Sequence, residues 1–175
     1  LRERVGPQPQ ALVQASLQHL RTGGYVYTLT PGLFGQHTAD EFWFDKKAGF
    51  CEHIASSFVV LMRALDIPAR VVKGYQGGEF NTNGGFWTVR QSDAHAWAEV
   101  WLSGQGWRRI DPTAYVAPDR ASSLLRLNPP EGAWLGTLRH VSPELLTQMR
   151  LLWDATNHRW NQWVLNHEQQ RQLQW

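Results

Sequence analysis

The sequence predicts an α+β fold on three observations. Apolar residues recur every three or four positions from Phe50 to Leu65, the period shortens to two over residues 69–112, and a helical period returns towards the C-terminus. A period near 3.6 places one apolar stripe along a helix, and a period of two places one apolar face along a strand. The 175 residues are expected to form a single domain over 1–175, with a lead-in and helix at 1–45, a core at 46–118, and a loop and C-terminal helix at 119–175.

Residues 1–10 are polar and carry Pro7 and Pro9, which suits a lead-in. Ala11 to Arg21 follows as a helix with Leu12, Ala15 and Leu17 or Leu20 inward, stopped by Gly23-Gly24. YVYTLTP (25–31) alternates as a short strand ending at Pro31. Thr38 followed by Glu41 is a capping-box pattern opening a helical turn through Phe44, and Gly49 is a break. Phe50, Ile54, Phe58, Met62 and Leu65 then form the stripe of a helix that Pro68 ends, with Cys51 in its first turn. ARVVKGY (69–75), FWTVR (86–90), HAWAEVWL (95–102) and GWRRIDP (106–112) read as strands. QGGEFNTNGG between the first two reads as a loop, and SGQG between the last two as a tight hairpin turn. After a loop through residues 128–132, Ser142-Pro143 opens a helix. Its apolar face holds Leu145, Leu146, Met149, Leu152, Trp153, Trp160, Trp163 and Val164, an aromatic stripe expected to be core.

Composition removes several functions. The formal charge of +2, from 17 basic and 15 acidic residues, comes without a basic block, so no nucleic acid partner is expected. The longest apolar run, Phe58 to Met62, falls short of the roughly 18 residues a membrane span needs, so this segment is not expected to insert. The opening LRERVGPQPQ has no initiator Met and no apolar leader, so the sequence is expected to be a piece of a longer protein. No phosphate-binding glycine motif lies between a strand and a helix, so no nucleotide cofactor is expected. Cys51-x-His53 has no second ligand pair at zinc spacing, and no metal site is expected.

One cysteine cannot form an internal disulfide, so its reactivity is the question. A thiol attacks acyl groups as thiolate, and the N–H groups and dipole of a helix's first turn favour that anion. A buried apolar role for Cys51 is the bland alternative. His95 opens a strand 44 positions after Cys51, and Asp111 ends the next strand 16 positions later. With Ser103-Gly104-Gln105 as the turn and Gly106 in a bulge, residues 97 and 111 stand opposite and His95 is the diagonal neighbour of Asp111 on one face. Asp93 is the rival carboxylate but belongs to a turn before the strand. In the catalytic order that follows, His95 accepts the Cys51 proton and Asp111 fixes the imidazole's tautomer. The backbone N–H of Cys51 is the expected oxyanion donor, a second donor is not assigned, and Trp97 walls the acyl site.

KAGFCEHIASSFVVLMRALDIPARVVKGY, DAHAWAEVW and GWRRIDPT, in this order, resemble the core of the transglutaminase-like superfamily over residues 47–113, about 40% of the chain. WFDKK and LLWDATNHRWNQWVLNHE resemble a narrower bacterial group within it, whose members carry such a domain on a membrane protein. The resemblance implies a papain-like α+β fold, with the Cys51 helix packed on an antiparallel sheet that carries His95 and Asp111. It implies transfer of an acyl group from a glutamine carboxamide to an amine through a Cys51 thioester, so that the partners are proteins or peptides with glutamine and amine groups. It also implies a periplasmic location next to membrane helices outside this segment. Calcium dependence, known in animal members, is not expected because no acidic calcium loop is visible. The same three residues would serve a peptidase or amidase acting on peptides or cell-wall stems, with water as acceptor. A non-catalytic module that binds protein or glycan through Trp87, Trp97 and Trp101 would instead leave Cys51 inert. Oligomeric state is left open.

Overall fold

The structure, a computed structural model, describes residues 1–118, 148–149 and 151–159. Expectations for the loop at 128–132, the helix start at Ser142-Pro143, and Leu145, Leu146, Trp160, Trp163 and Val164 lie outside the described residues. The chain divides into two compact units, one of Leu1–Gln76 with Gln91–Arg126 and the other of Gly77–Arg90 with Leu127–Trp175.

The first unit opens with α1 (Arg2–Val5) and α2 (Pro9–Thr22), the latter with proline at its first turn, where a missing N–H costs nothing. Leu12, Val13, Ser16, Leu17 and Leu20 of α2 are buried. Val13 and Ser16 thus take the place expected for Ala15, and the Ser16 hydroxyl is accommodated by donating to the Leu12 carbonyl at 2.8 Å. The expected strand at 25–31 shrinks to β1 (Val26–Tyr27). Tyr25 turns inward to donate its hydroxyl to the Trp43 carbonyl (2.9 Å), and Thr28 Oγ1 captures the Thr30 N–H (3.2 Å).

A short α3 (Thr38–Asp40) runs into a π-helical turn at Glu41–Lys46, followed by β2 (Ala48–Gly49), which pairs in parallel with β1. The Thr38/Glu41 pair is not a capping box. Thr38 is already helical, and the Glu41 carboxylate accepts the N–H of Gly35 at 2.9 and 3.1 Å, pinning the preceding loop instead.

α4 (Cys51–Ala64) carries the predicted stripe, with Ile54, Phe58 and Met62 fully buried and Phe50 and Leu65 partly buried at its ends. It packs on a three-stranded antiparallel sheet of order β3-β6-β7, formed by β3 (Ala69–Tyr75), β6 (Ala94–Leu102) and β7 (Gly106–Ile110). Ala96, Ala98, Val100 and Leu102 of β6 are buried, and Ala98, Val100 and Leu102 join Ile54, Phe58 and Met62 in the core that also takes Leu12, Leu17, Leu20 and Phe42. A 3₁₀ turn (Gln91–Asp93) leads into β6, and α5 (Thr113–Val116) leaves β7.

In the second unit the expected strand at 86–90 is β5 (Phe86–Thr88), and it pairs as a hairpin with β4 (Glu79–Asn81), a strand inside the segment expected to be loop. Asn81 is fully buried there. Its Oδ1 accepts the N–H groups of Asn83 and Gly84, both at 3.0 Å, and its Nδ2 donates to the Leu151 carbonyl at 2.9 Å, joining the hairpin to a helical stretch at 151–159. Arg90 adds an ion pair to Asp154 at 2.7 Å. The apolar face expected of this helix is not buried where it is described: Met149, Leu152 and Trp153 are exposed, and Ala155 is the residue turned inward.

Candidate active site

Cys51 is the first residue of α4. Phe50 before it is extended and gives the helix no side-chain cap, so the first-turn N–H groups are left uncapped. Gly49, the residue of β2 next to the helix start, is buried against α4. A Cβ there would meet His53 Cβ at 2.7 Å, so the glycine lets the first turn of α4 close on β2. The His53 ring packs between Phe34 (4.6 Å, stacked) and Phe50 (4.3 Å, edge-on), and burial lowers its pKa.

His95 and Asp111 meet through strand register. β6 and β7 pair Ala98 with Ile110 and Leu102 with Gly106, which continues to place residue 111 opposite 97. The turn has Gly104 at φ 78° and Gly106 at φ 73°, the left-handed conformation that the predicted bulge requires. His95 Nε2 lies 2.7 Å from Asp111 Oδ2, with the two side chains only 11% and 16% exposed. The other carboxylate oxygen accepts the Thr113 N–H at 3.1 Å, which fixes the acid where the chain turns into α5. Asp93 lies in the 3₁₀ turn, and its carbonyl takes the Gln76 N–H.

Cys51 completes the line through a side-chain hydrogen bond to His95. Ladder parity explains a second contact to the sulfur. Trp101 N–H donates to Pro68 and Gln76 N–H to Asp93, so odd-numbered β6 residues bond to β3 and even-numbered ones face β7. β7 stops at Ile110, however, and the residue that would pair with Ala96 is Pro112, whose carbonyl is taken by the Tyr115 N–H at 3.1 Å. The Ala96 N–H is thereby left for the Cys51 sulfur.

These contacts set the charges. Burial pushes the Cys51 thiol up, but the His95 hydrogen bond, the Ala96 N–H, the imidazolium charge and the Glu52 N–H outweigh it and hold the thiol below its ordinary value. Burial also pulls His95 down, yet its hydrogen bonds and charge interactions with Asp111 and Cys51 raise it to about 9. The arrangement therefore favours a thiolate facing an imidazolium.

Trp97 sits next to this line, with its ring stacked beside His95 (centroids 6.2 Å apart) and its buried Nε1 without a hydrogen-bond partner among the described residues. The Ala96 N–H, Gly74 and Arg109 also belong to this neighbourhood. Of these only Gly74 carried a signal, as a glycine inside a strand that marks close approach.

A helix-borne cysteine aligned with a histidine and an aspartate on an antiparallel sheet defines a transglutaminase-like fold. The profile of the Transglutaminase-like superfamily matches residues 4–112, and the chain belongs to that superfamily. It is 44% identical over 171 residues to a protein-glutamine gamma-glutamyltransferase of Pseudomonas aeruginosa, covering 94% of this chain and 26% of that protein. Over 78 residues it is 45% identical to the uncharacterized protein YebA of Bacillus subtilis, covering 42% of this chain and 11% of that protein. The crystal structure of the periplasmic domain of TgpA from Pseudomonas aeruginosa bound to ethylmercury superposes with a TM-score of 0.66 at 48% identity, covering 69% of this chain and 43% of that one. The chain thus spans about a quarter of the length of its Pseudomonas relative.

Proposed function

We propose that the chain is the catalytic domain of a protein-glutamine gamma-glutamyltransferase, with Cys51 as nucleophile, His95 as acid and base, and Asp111 as the group that orients the imidazole. The hydrogen-bonded line Asp111–His95–Cys51 at an uncapped helix start is the observation that carries this reading. The Cys51 thiolate attacks the side-chain carboxamide carbon of a glutamine, and the resulting oxyanion is stabilised by the Cys51 N–H. The His95 imidazolium protonates the leaving nitrogen, ammonia departs, and a thioester remains. A primary amine then attacks the thioester and gives its proton to His95. The thiolate leaves, and an isopeptide bond has formed. No step requires a metal or cofactor. Its likeness to a periplasmic domain supports placing this domain in the periplasm, as part of a longer membrane-anchored protein.

Incubation with a glutamine peptide and a labelled primary amine tests the reading. Ammonia release and amine incorporation are expected, both lost in Cys51→Ala. Mass spectrometry of the product separates transfer, which adds the amine, from hydrolysis, which converts glutamine to glutamate. Amine incorporation that survives in Cys51→Ala would sink the assignment, and glutamate as the sole product would make the domain an amidase.

A further inference from the structure

Asp111 has two basic neighbours on its own face of the sheet. One is His95, which it holds at 2.7 Å. The other is Arg109, two residues earlier on the same strand and therefore on the same side. An arginine fork is a strong, permanently charged partner for a carboxylate, and an i to i+2 neighbour along a strand is within its reach. Yet Arg109 is exposed and, among the described residues, forms no ion pair. Its guanidinium instead lies over the Trp97 ring, 4.1 Å from the centroid. Trp97 is in turn held in place by the strand next door. Its ring edge covers Gly74, where a Cβ would stand 2.9 Å from the Trp97 Cη2, and Gly74 is the direct partner of His95 across β3 and β6.

We infer that Trp97 is a positioning residue that sequesters Arg109 by cation–π contact and so keeps Asp111 for His95. The inference rests on the proposed roles of His95 and Asp111 but asks a separate question, namely what prevents the acid from pairing with the wrong base. The neighbouring Arg70 illustrates the alternative on the same face. It too lies over a tryptophan, Trp107 at 4.2 Å, but there the carboxylate of Glu99 is close enough to be taken as well, at 2.7 Å. Near His95 the same combination would draw Asp111 from the imidazole. The other carboxylate on this face is Glu99, directly opposite Arg109 across β6 and β7 and held by Arg70 at 2.7 Å. Cys51 acts on His95 from the start of α4, where Glu52 follows it, Asp93 ends the turn before β6, and Lys73 on β3 pairs with Ala96 and so lies on the opposite face.

The test is the imidazole titration of His95 followed by NMR in the 175-residue chain, whose alkaline limb marks loss of the imidazolium proton, with Cys51 alkylation by iodoacetamide reporting the thiolate alongside it. Trp97→Leu frees Arg109. The alkaline limb, near pH 9 in the native chain, is expected to move down by about one unit, because His95 loses its principal anion. Trp97→Phe keeps a weaker aromatic face and is expected to shift the limb about half as far. The decisive variants add Arg109→Gln to each. With the competitor removed, the limb should return to within a few tenths of a unit of its native position, although the tryptophan is still missing. A role for Trp97 in packing alone would show no such rescue. A limb that stays at its native position in Trp97→Leu and Trp97→Phe, or one that moves and is not restored by Arg109→Gln, overturns the inference. If Trp97→Leu does not fold, the Trp97→Phe pair decides. Absence of any thiolate–imidazolium titration in the native chain would count against the proposed function first.

Discussion

At the scale of single residues, the site depends on two shifts of opposite sign. Cys51 is held below the ordinary thiol value and His95 is raised to about 9, so the reactive pair of thiolate and imidazolium exists between the two. Since the two groups interact, the limbs belong to the pair rather than to either residue. The rate of ammonia release, which needs both thiolate and imidazolium, is expected to follow a bell whose alkaline limb lies near pH 9 and whose acid limb lies below the ordinary thiol pKa, while Cys51 alkylation, which needs only the thiolate, shows the acid limb. His95→Ala removes the hydrogen bond and the charge that lower Cys51. The acid limb should then move up towards the ordinary thiol value of about 8.5, and an unchanged profile would refute the pairing. Asp111→Asn keeps the shape but not the charge or the preferred tautomer. By analogy with other triads, turnover should fall on the order of a thousandfold or more while the thiol remains titratable by alkylation. The placement of Cys51, His95 and Asp111 was legible in the sequence because helix start, strand start and strand end are local signals. The Ala96 N–H was not, since its freedom depends on where a neighbouring strand stops and a proline begins.

At the scale of elements, α4 has to begin at one residue, and the contacts around Gly49 enforce that. The closest atom to a Cβ at position 49 is His53 Cβ, backbone-proximal and unable to swing away as a long side chain could. Gly49→Ala is expected to cost about 1–3 kcal/mol in chemical denaturation, and to slow alkylation of Cys51 because the first turn carries both residues. Full activity with native stability would show that the helix start is not constrained there. The α4 stripe, β3, β6 and the 103–106 turn could be read from the sequence because each follows its own period or its own turn chemistry. The β4 strand could not. Glu79–Asn81 is short and framed by glycines, and its stability comes from Asn81, whose buried amide finds its partner 70 residues away at Leu151. Asn81→Ala leaves the Leu151 carbonyl and the Asn83 and Gly84 N–H groups without this side chain. A loss of about 1–3 kcal/mol is expected, seen as faster hydrogen exchange in β4, β5 and residues 151–159 and not in α4. Equal exchange in all of these elements would contradict it.

At the scale of the whole molecule, a formal charge of only +2 leaves little global repulsion to make folding depend on pH. Among the described residues, the dependence should then arise chiefly where titration differs most between the folded and unfolded chain. His95 titrates near 6.5 when unfolded and at about 9 when folded, so the folded form binds the proton more tightly. Its stabilising contribution is therefore complete below about pH 6.5 and is lost as pH rises through about 9. Cys51, shifted the other way, adds stability above its unfolded value and loses it as pH falls through its folded one. The two contributions overlap in the range where thiolate and imidazolium coexist, since each is the other's partner. Replacing His95 with glutamine, which cannot titrate, should lower the thermal midpoint most near pH 6 to 7 and least at about pH 10, where the native imidazole is already neutral. In a Cys51→Ala background the His95 contribution should persist, because Asp111 still holds the ring, but should be lost at a lower pH, because one of its two partners is gone. Midpoints for the four chains across that range give the coupling directly as a double-mutant cycle. A gap between native and His95→Gln that grows as pH rises would mean that the imidazole is folded neutral, and the ion pair at the centre of the site would not exist.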